Sequence, residues 1–408
     1  MKDIVVLGGG FGGLWSALGA ARKLEQLGLS AEDAQITLIE RNDYHSIRVR
    51  NYEEDLDSYI VELDKVLKPA GVNRLRGEVV DVDFSAQLVH VQTADGLRKV
   101  PYDKLVYALG SKLFRPEIPG LEDFSFDVDT YQAAKKLKKH LADLALAEAR
   151  PGSDTVLVIG AGLTGIETAA EMPARLREFW KKRDQKNRRV ILADVAPVIG
   201  SDMGQEAQAV IAEALQALNV EMFPGIKVTS VDVRGVTLAD GSRLEAATVI
   251  WCAGMRTNAL SKIFPVNKDR FGRVEVDEFM RIKGMNNIYA VGDAASALLD
   301  ETHTSVMSCQ HGRPMGRFAG HNVVAELFDQ PLLPLKIDWY TTILDLGEWG
   351  AVYTTGWDRK VVSIKDEAKL TKRTINGQRI YPPQSGDREE ILSAAAPVIQ
   401  APPKIYRH

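Results

Sequence analysis

The chain contains 408 residues, too many for one hydrophobic core, so we expect two or three domains. Its hydrophobic fraction of 45% and net charge of −4 are typical of a soluble globular protein and give no indication of nucleic-acid binding. Cys252 and Cys309 are far apart in sequence, which argues against a disulfide framework or a cysteine-based zinc site and favours a cytoplasmic compartment. The chain opens on a predicted strand and has no apolar run of ~20 residues, so we expect no signal peptide and at most peripheral membrane association.

The first motif is a glycine-rich turn between a predicted strand and a predicted helix. Ile4–Leu7 is apolar, Gly8, Gly10 and Gly13 fit the pattern G-x-G-x-x-G, and Leu14–Leu24 follows as a helix. The free backbone N–H groups at such a helix N-terminus, together with the helix dipole, favour a pyrophosphate. The turn therefore predicts a dinucleotide site.

An acidic residue ends the next predicted strand, Gln35–Glu40. Glu40 follows Gly8 by 32 residues, more than the usual spacing of about 20, because Lys23–Gln35 contains an added turn and loop. A carboxylate at this strand tip can accept hydrogen bonds from ribose hydroxyls; the alternative is a solvated strand end. The segment Arg74–Asp83 is predicted to be a strand that passes beneath the adenine.

The glycine pattern occurs a second time, in Val156–Gly165, with Gly160, Gly162 and Gly165 at the same spacing. A strand with a terminal acid, Asp194, follows it as Glu40 follows the first copy. Each copy is then followed by a hairpin and by an apolar strand that ends in glycine. The distance from first glycine to hairpin glycine is 88 residues in one copy (8 to 96) and 81 in the other (160 to 241). The chain is therefore predicted to contain two dinucleotide-binding units.

After Gly254 the pattern returns to the first unit. Asn287–Gly292 is a predicted strand followed by Asp293, which should face the ligand of the first unit because ligands of open α/β sheets bind at the carboxyl ends of strands. Thr304–Leu327 is predicted to be a long helix. Aromatic residues punctuate short predicted strands from Leu335 onward, and Asp358–Arg379 has seven basic residues against three acidic ones.

These patterns predict an α/β fold with two Rossmann-like dinucleotide-binding domains and a smaller β-rich C-terminal domain. Pro116 and Pro119-Gly120 mark the first crossing between domains. The expected boundaries are 1–118 with 255–334 for the first, discontinuous domain, 119–254 for the second, and 335–408 for the C-terminal domain and tail.

The two glycine patterns, with YALG, CAG and IYAVGDAA, resemble the flavoproteins with two dinucleotide-binding domains and a glutathione-reductase-like fold. Within that group GAGLTGIE, IWCAGMRTN and CQHGRPMG resemble the type II NADH dehydrogenases, the single-subunit NADH:quinone oxidoreductases. The resemblance covers roughly residues 1–355. It implies that FAD takes hydride from NADH and passes electrons to a quinone or quinone-like acceptor.

The resemblance also implies roles for individual residues. Glu167 matches the acid at the nicotinamide–flavin interface, and Gln310 matches the glutamine beside the quinone-facing edge of the flavin; these are the predicted catalytic residues. A structural alternative is a first-turn acid favoured by the helix dipole for Glu167, and a buried, satisfied amide for Gln310. The positions expected to contact FAD or NADH are Gly8, Gly10, Phe11, Gly12, Gly13, Glu40, Arg41, Val79, Ala108, Gly110, Gly160, Gly162, Leu163, Thr164, Gly165, Asp194, Gly254, Gly292, Asp293 and Gln310.

Asp194 favours NADH because its carboxylate would repel a 2′-phosphate, although Arg188 and Arg189 nearby keep NADPH as an alternative. His303 and His311 have no metal-ligand spacing with another histidine, so no metal site is expected. Disulfide reductases and sulfide:quinone oxidoreductases need a redox cysteine pair, which Cys252 and Cys309 do not provide.

The chain departs from the type II pattern where the acceptor should bind. The segment from Tyr44 to Tyr52 carries Ser46, Arg48 and Arg50 in place of apolar residues, and the C-terminal tail has no clear amphipathic helix. One alternative is a soluble NAD(P)H-dependent reductase of a redox protein, similar to ferredoxin reductases.

That redox protein would dock on the basic stretches Lys181–Arg189 or Asp358–Arg379. Another alternative is a nucleotide-responsive regulatory flavoprotein without useful turnover. The sequence is also compatible with a homodimer.

Overall fold

The computed structural model describes residues 1–148, 150–179 and 188–405. The strands of this part of the chain are β1 (Lys2–Leu7), β2 (Ala34–Glu40), β3 (Tyr44–Ser46), β4 (Ile60–Glu62), β5 (Asn73–Arg76), β6 (Glu78–Asp83), β7 (Leu88–Thr93), β8 (Gly96–Pro101), β9 (Lys104–Tyr107), β10 (Ser111–Leu113), β11 (Thr155–Ile159), β12 (Arg189–Ala193), β13 (Val220–Phe223), β14 (Val228–Asp232), β15 (Gly235–Leu238), β16 (Arg243–Glu245), β17 (Thr248–Trp251), β18 (Met255–Thr257), β19 (Val274–Glu275), β20 (Ile288–Ala290), β21 (Ala295–Ser296), β22 (Thr341–Asp345), β23 (Ala351–Thr355) and β24 (Lys360–Ile364). The α-helices are α1 (Phe11–Gln26), α2 (Leu63–Leu67), α3 (Leu121–Phe124), α4 (Tyr131–Leu146), α5 (Leu163–Phe179), α6 (Gln205–Ala217), α7 (Cys309–Leu327), α8 (Lys365–Thr374) and α9 (Arg388–Ala394).

The first sheet is parallel, with the strand order β20-β9-β1-β2-β5. β1 lies at its centre, where Ile4 pairs with Ile36 on one side and Lys104 on the other. Strands buried on both faces are continuous apolar runs, and Ile4–Leu7 is accordingly buried. The antiparallel meander β6-β7-β8 adds Val82 and Val89 to the same core.

A second parallel sheet repeats this plan with the order β13-β12-β11-β17, accompanied by the meander β14-β15-β16. Phe126 forms a parallel bridge with Ile250 beside β17. Strand, glycine turn, helix, second strand, meander and closing strand thus occur twice in the same order. The predicted α/β class with two Rossmann-like units is confirmed.

The chain passes between the two sheets twice, and the two passages lie side by side. β10 on the outward passage pairs antiparallel with β18 on the return, with Ser111 opposite Thr257. The Asn258 N–H and the Thr257 hydroxyl both donate to the carbonyl oxygen of Gly110, at 2.9 and 3.2 Å. The two passages are therefore hydrogen-bonded to each other at the crossing.

Two predicted boundaries are wrong for physical reasons. Arg74–Asp83 is not one strand, because β5 pairs parallel with β2 and ends at Arg76, whereas β6 starts at Glu78 and pairs antiparallel with β7. The helix predicted from Thr304 begins at Cys309. The Ser305 N–H donates to Ala297 O and the Val306 N–H to His311 Nδ1, so these N–H groups are satisfied outside a helix.

The helices α1 and α7 approach so closely that only glycine fits at their crossing. A Cβ on Gly316 would lie 2.4 Å from the carbonyl oxygen of Gly12, and one on Gly320 would lie 2.1 Å from that of Ser16. Because α1 begins at the first glycine turn and α7 begins beside Gln310, this contact fixes the two helix N-termini relative to each other.

The C-terminal part contains the antiparallel sheet β22-β23-β24. It also contains the helices α8 and α9, which the sequence did not predict. α8 packs on β23, and β22 packs on α5 of the second unit. Among the described helices, none combines the length and the apolar character needed to cross a membrane.

The α1–α7 contact predicts that Gly320→Ala lowers the free energy of unfolding by about 1–3 kcal/mol, the usual cost of forcing an extra methyl group into a packed contact. The matched control is Gly377→Ala, whose Cβ would have no atom within 4 Å. Chemical unfolding of both variants measures the difference. An equal stability of the two variants would contradict the packing argument.

Candidate active site

The three glycines of the first turn have different surroundings. Gly8 has a φ of +99°, a left-handed value that favours glycine. A Cβ on Gly13 would lie 1.9 Å from the carbonyl oxygen of Gly8, whereas at Gly10 a Cβ would have no atom within 4 Å. The first and third glycines thus serve the turn and the helix–strand contact, and the second faces open space that a phosphate can enter.

The second turn has the same arrangement. Gly160 has a φ of +105°, a Cβ on Gly165 would lie 1.7 Å from the carbonyl oxygen of Gly160, and Gly162 faces open space. Two turns of this kind, each at the N-terminus of a helix, fit two dinucleotide pyrophosphates.

Each predicted strand-end acid lies against its glycine turn. The Gly9 N–H donates to Glu40 Oε2 at 2.8 Å, and the Ala161 N–H donates to Asp194 Oδ2 at 2.5 Å. The carboxylates of Glu40 and Asp194 are half-buried and keep lone pairs for further donors, as ribose binding requires.

His45 supports the first turn from below and was missed by the sequence argument. Its Nδ1 lies 2.9 Å from the carbonyl oxygen of Gly9, and its ring contacts Phe11 edge to face, with centroids 4.7 Å apart. Burial lowers the pKa of His45 to about 4, so the ring is neutral at pH 7. Because the Gly9 carbonyl oxygen can only accept, Nδ1 carries the ring proton and donates a hydrogen bond to that oxygen.

The remaining predicted contacts of the first unit lie around the same turn. The carbonyl oxygen of Glu40 accepts a hydrogen bond from the Gly77 N–H at 3.1 Å, which brings Arg41 and Val79 to the same strand tip. Ala108 packs against the turn, since a Cβ on Gly8 would lie 2.6 Å from its carbonyl oxygen.

Asp293 lies at the carboxyl end of β20, as predicted. The preceding Gly292 packs against the first turn, because a Cβ on it would lie 3.7 Å from the Cα of Gly12. Asp293 Oδ2 accepts a hydrogen bond from the Ser111 hydroxyl at 2.6 Å and lies 3.6 Å from Arg48 Nη1.

Arg48 also forms an ion pair with Asp129. Burial acts to lower the pKa of Arg48, but the carboxylates of Asp129 and Asp293 outweigh it and raise that pKa. Arg48 thus connects the loop after β3 to the domain crossing, a role that its position in the sequence did not indicate.

A cavity of about 270 Å³ lies where the second unit, the start of α7 and the C-terminal part meet. The predicted catalytic residues Glu167 and Gln310 both line it, together with the predicted contacts Leu163 and Thr164. Its further walls include Arg48, Tyr52, Cys309, Arg313, Arg317, Trp339, Thr341 and Lys372.

Glu167 forms a buried ion pair with Lys372. Lys372 Nζ lies 2.7 Å from Glu167 Oε1 and also donates to the carbonyl oxygen of Ile343 at 2.9 Å. The Asp345 N–H donates to the same Glu167 oxygen at 3.0 Å. Glu167 is the fifth residue of α5, so the helix-dipole explanation for a first-turn acid does not apply to it.

Burial shapes the electrostatics of this pair. It raises the pKa of Glu167, although the ammonium group of Lys372 opposes the shift. Burial acts to lower the pKa of Lys372, but the carboxylates of Glu167 and Asp345 outweigh it and raise that pKa. The pair therefore consists of a cation and a carboxylate that binds a proton more readily than an exposed one.

Gln310 lies in the first turn of α7 and is held there by Thr341. The Thr341 hydroxyl donates to Gln310 Oε1 at 3.1 Å. The Gln310 amide nitrogen lies 3.4 Å from His311 Nε2, which carries the ring proton because His311 Nδ1 accepts from the Val306 N–H, so these two donors do not bond to each other. An amide has more donor and acceptor positions than these contacts use, so Gln310 can bind a polar atom in the cavity.

The cysteines and the other predicted histidines have structural surroundings. Burial raises the pKa of Cys252 to about 12 and also raises that of Cys309, so both are thiols at neutral pH. His311 is buried, whereas His303 stacks on Trp357 with centroids 4.3 Å apart. Within the described ranges no three His, Cys, Asp or Glu side chains form a group that could hold a metal ion.

The two predicted glycines at the crossing are not among the described residues that line the cavity. Gly110 and Gly254 both have left-handed φ values, +65° and +84°, and Gly254 faces the Phe114 ring.

Of the basic stretch Lys181–Arg189, residues 181–187 lie outside the described residues. Arg189 hydrogen-bonds both carboxylate oxygens of Glu221, at 2.7 and 2.8 Å.

The second basic stretch, Asp358–Arg379, is not one exposed surface. Lys372 faces Glu167, and Lys369 Nζ donates to Asp345 Oδ1 at 2.5 Å. Their spacing of three residues, which places them on one face of a helix, was the available indication that this run is partly internal.

The family model of the pyridine nucleotide-disulphide oxidoreductases matches residues 2–316. An NADH dehydrogenase-like protein of Mycobacterium tuberculosis is 50% identical over 403 residues, which cover 99% of this chain and 100% of the relative. A type II NADH:quinone oxidoreductase of Staphylococcus haemolyticus is 30% identical over 72% of this chain and 75% of its own. The solved structure of NDH2 from Plasmodium falciparum in complex with NADH has a similar fold, with a TM-score of 0.76 at 15% identity over 97% of each chain.

Gly10 and Gly162 both face open space, and substituting each should impair the binding of a different ligand. Gly10→Val should abolish flavin binding because its side chain would occupy the space that a phosphate needs. The matched variant Gly162→Val should retain flavin and lose NADH binding. Flavin absorbance of the purified proteins and NADH titration measure the two effects, and loss of flavin in both variants would show a general folding defect instead.

The Glu167–Lys372 pair predicts a strong energetic coupling. Lys372→Met should destabilise the fold by about 3–5 kcal/mol, because it leaves a buried carboxylate without its counter-charge. The double variant Glu167→Gln with Lys372→Met should recover much of that loss. Chemical unfolding of the wild type, both single variants and the double variant completes the cycle. Additive losses would mean that the two groups do not interact.

Proposed function

Because the chain belongs to the pyridine nucleotide-disulphide oxidoreductase family, we propose that it is an FAD-dependent NADH dehydrogenase that reduces a quinone or quinone-like small molecule. The reaction consumes NADH, a proton and the quinone and releases NAD⁺ and the quinol. One observation carries the proposal: the cavity has walls from α5, which follows the second glycine turn, and from α7, which packs on the helix of the first.

In this proposal FAD binds to the unit of residues 1–118 and 255–334, NADH binds to residues 119–254, and residues 335–408 complete the cavity. Bound FAD supplies a ring that takes up hydride and passes electrons on. The open face at Gly10 admits the FAD pyrophosphate, and Glu40 accepts hydrogen bonds from the FAD ribose. Asp293 hydrogen-bonds the ribityl or phosphate side of the flavin.

The second unit favours NADH over NADPH. The carboxylate of Asp194 lies against the glycine turn, where it would repel a 2′-phosphate. Arg189, which could otherwise compensate that phosphate, already makes two hydrogen bonds to Glu221.

Three side chains at the cavity have separate tasks in this proposal. The raised pKa of Glu167 allows its carboxyl group to hold a proton beside the cavity. When Glu167 is ionised, the ammonium group of Lys372 balances its charge. The anchored amide of Gln310 positions a carbonyl oxygen of the acceptor. This division of tasks is supported by the opening of all three side chains onto one cavity.

A redox-protein acceptor is the alternative. The inward orientation of Lys369 and Lys372 removes two charges from the basic stretch that would dock such a protein. A small quinone suits this cavity of about 270 Å³ better than a protein partner does.

Anaerobic NADH should bleach the flavin of the purified protein, and a small quinone should reoxidise it rapidly. Gln310→Ala should slow reoxidation about tenfold, the loss of one hydrogen bond to the acceptor, with flavin retained and reduction by NADH unchanged. Gln330→Ala, just beyond the other end of α7, is the matched control. Stopped-flow absorbance follows both half-reactions. Reoxidation by a redox protein but by no quinone would establish the alternative.

A further inference from the structure

The cavity carries a pair of buried guanidinium groups on α7. Arg313 and Arg317 are only 5% and 2% exposed, and both line the cavity. Each lies over the ring of Trp15, at 5.4 and 5.3 Å from its centroid. They follow Gln310 by one and two helical turns, so their positions lie about 5 and 10 Å from it along the helix axis.

Several hydrogen-bond donors in this region are buried without a partner. The Nε atoms of Arg313 and Arg317 and the indole nitrogen of Trp339 are buried without a hydrogen-bond partner. Among the described residues Arg317 makes one long hydrogen bond, 3.4 Å to the carbonyl oxygen of Ala394, and no carboxylate pairs with either arginine. Buried donors and cations are normally compensated, so this group lacks an acceptor with negative charge.

The electrostatics support the same conclusion. Burial, followed by the charge of Arg317, lowers the pKa of Arg313 to about 9, and burial with the charge of Arg379 lowers that of Arg317 to about 10. Elsewhere on the same cavity the charge of Lys372 is balanced by Glu167. The cavity is thus compensated beside Glu167 and cationic beside Arg313.

We propose that the electron acceptor carries a carboxylate, which pairs with Arg313 and Arg317 while its quinone-like ring lies beside Gln310. This inference rests on the proposed function and names its substrate class. A carboxylate has only acceptor positions and matches the fork of a guanidinium group, so it would satisfy the unpartnered donors. An apolar lipid tail in the same place would leave both cations uncompensated.

The test compares two acceptors of nearly equal shape and ring chemistry. One is 2-methyl-1,4-naphthoquinone with a carboxymethyl group at position 3, and the other is its methyl ester. The FAD-loaded wild type should show a kcat/KM about tenfold or more higher for the acid, the usual effect of a charge-assisted hydrogen bond. Arg313→Gln and Arg317→Gln should each lower kcat/KM for the acid more than kcat/KM for the ester, and so reduce this preference. Arg98→Gln on the exposed β8 is the matched control.

A second measurement does not depend on turnover or on the variants. 2-Naphthoate should bind the oxidised wild-type holoenzyme and compete with the acid, whereas 2-naphthamide should bind at least tenfold more weakly. Equal use of acid and ester, equal binding of naphthoate and naphthamide, or a preference that survives both substitutions would overturn the proposal. Failure of every quinone to reoxidise the flavin would instead refute the proposed function, and naphthoate binding would still decide whether the arginine pair is an anion site.

Discussion

The close approach of α1 and α7 is the constraint on which the candidate site depends. The first helix starts at the turn that would hold one pyrophosphate, and the second starts at Gln310. Gly316 and Gly320 let the two backbones meet because a Cβ at either position would collide with a carbonyl oxygen of α1. The contact therefore fixes the position of the Gln310 amide at the cavity relative to the first glycine turn, with little freedom between them.

The cavity needs a second connection, because Glu167 and the C-terminal helix α8 belong to different parts of the chain. The ion pair between Glu167 and Lys372 provides it across 205 residues of sequence. A buried ion pair contributes little net stability, since desolvation offsets most of the attraction. Its value here lies in placement: it fixes α8 against α5 and keeps a buried carboxylate of raised pKa at the cavity wall. A hydrophobic pair could fill that space but could not hold a proton.

The parts of the site that could be predicted from sequence are those encoded by neighbouring residues. A glycine turn joins a strand to the helix that follows it, and Glu40 and Asp194 end the next strands, so the local order of strand, turn, helix and strand placed them. Lys372 could not be placed in this way, because its partner belongs to another part of the fold. Arg48 is a similar case, since Asp129 and Asp293 lie far from it in sequence. The start of α7 was misplaced because side-chain and loop hydrogen bonds, such as that of the Val306 N–H to His311 Nδ1, compete with helix formation before Cys309.

The charges of Arg313 and Arg317 would also affect how readily a bound acceptor is reduced. Electrons arriving at an acceptor create negative charge, and cations already fixed nearby need no reorganisation to stabilise it. At about 8 Å and an effective dielectric constant of about 20, one unit charge contributes on the order of 2 kcal/mol. Arg313 and Arg317 lie one and two helical turns beyond Gln310, so a carboxylate that binds them would neutralise part of this field. The same two side chains would then discriminate between acceptors in binding and adjust how readily the bound acceptor is reduced.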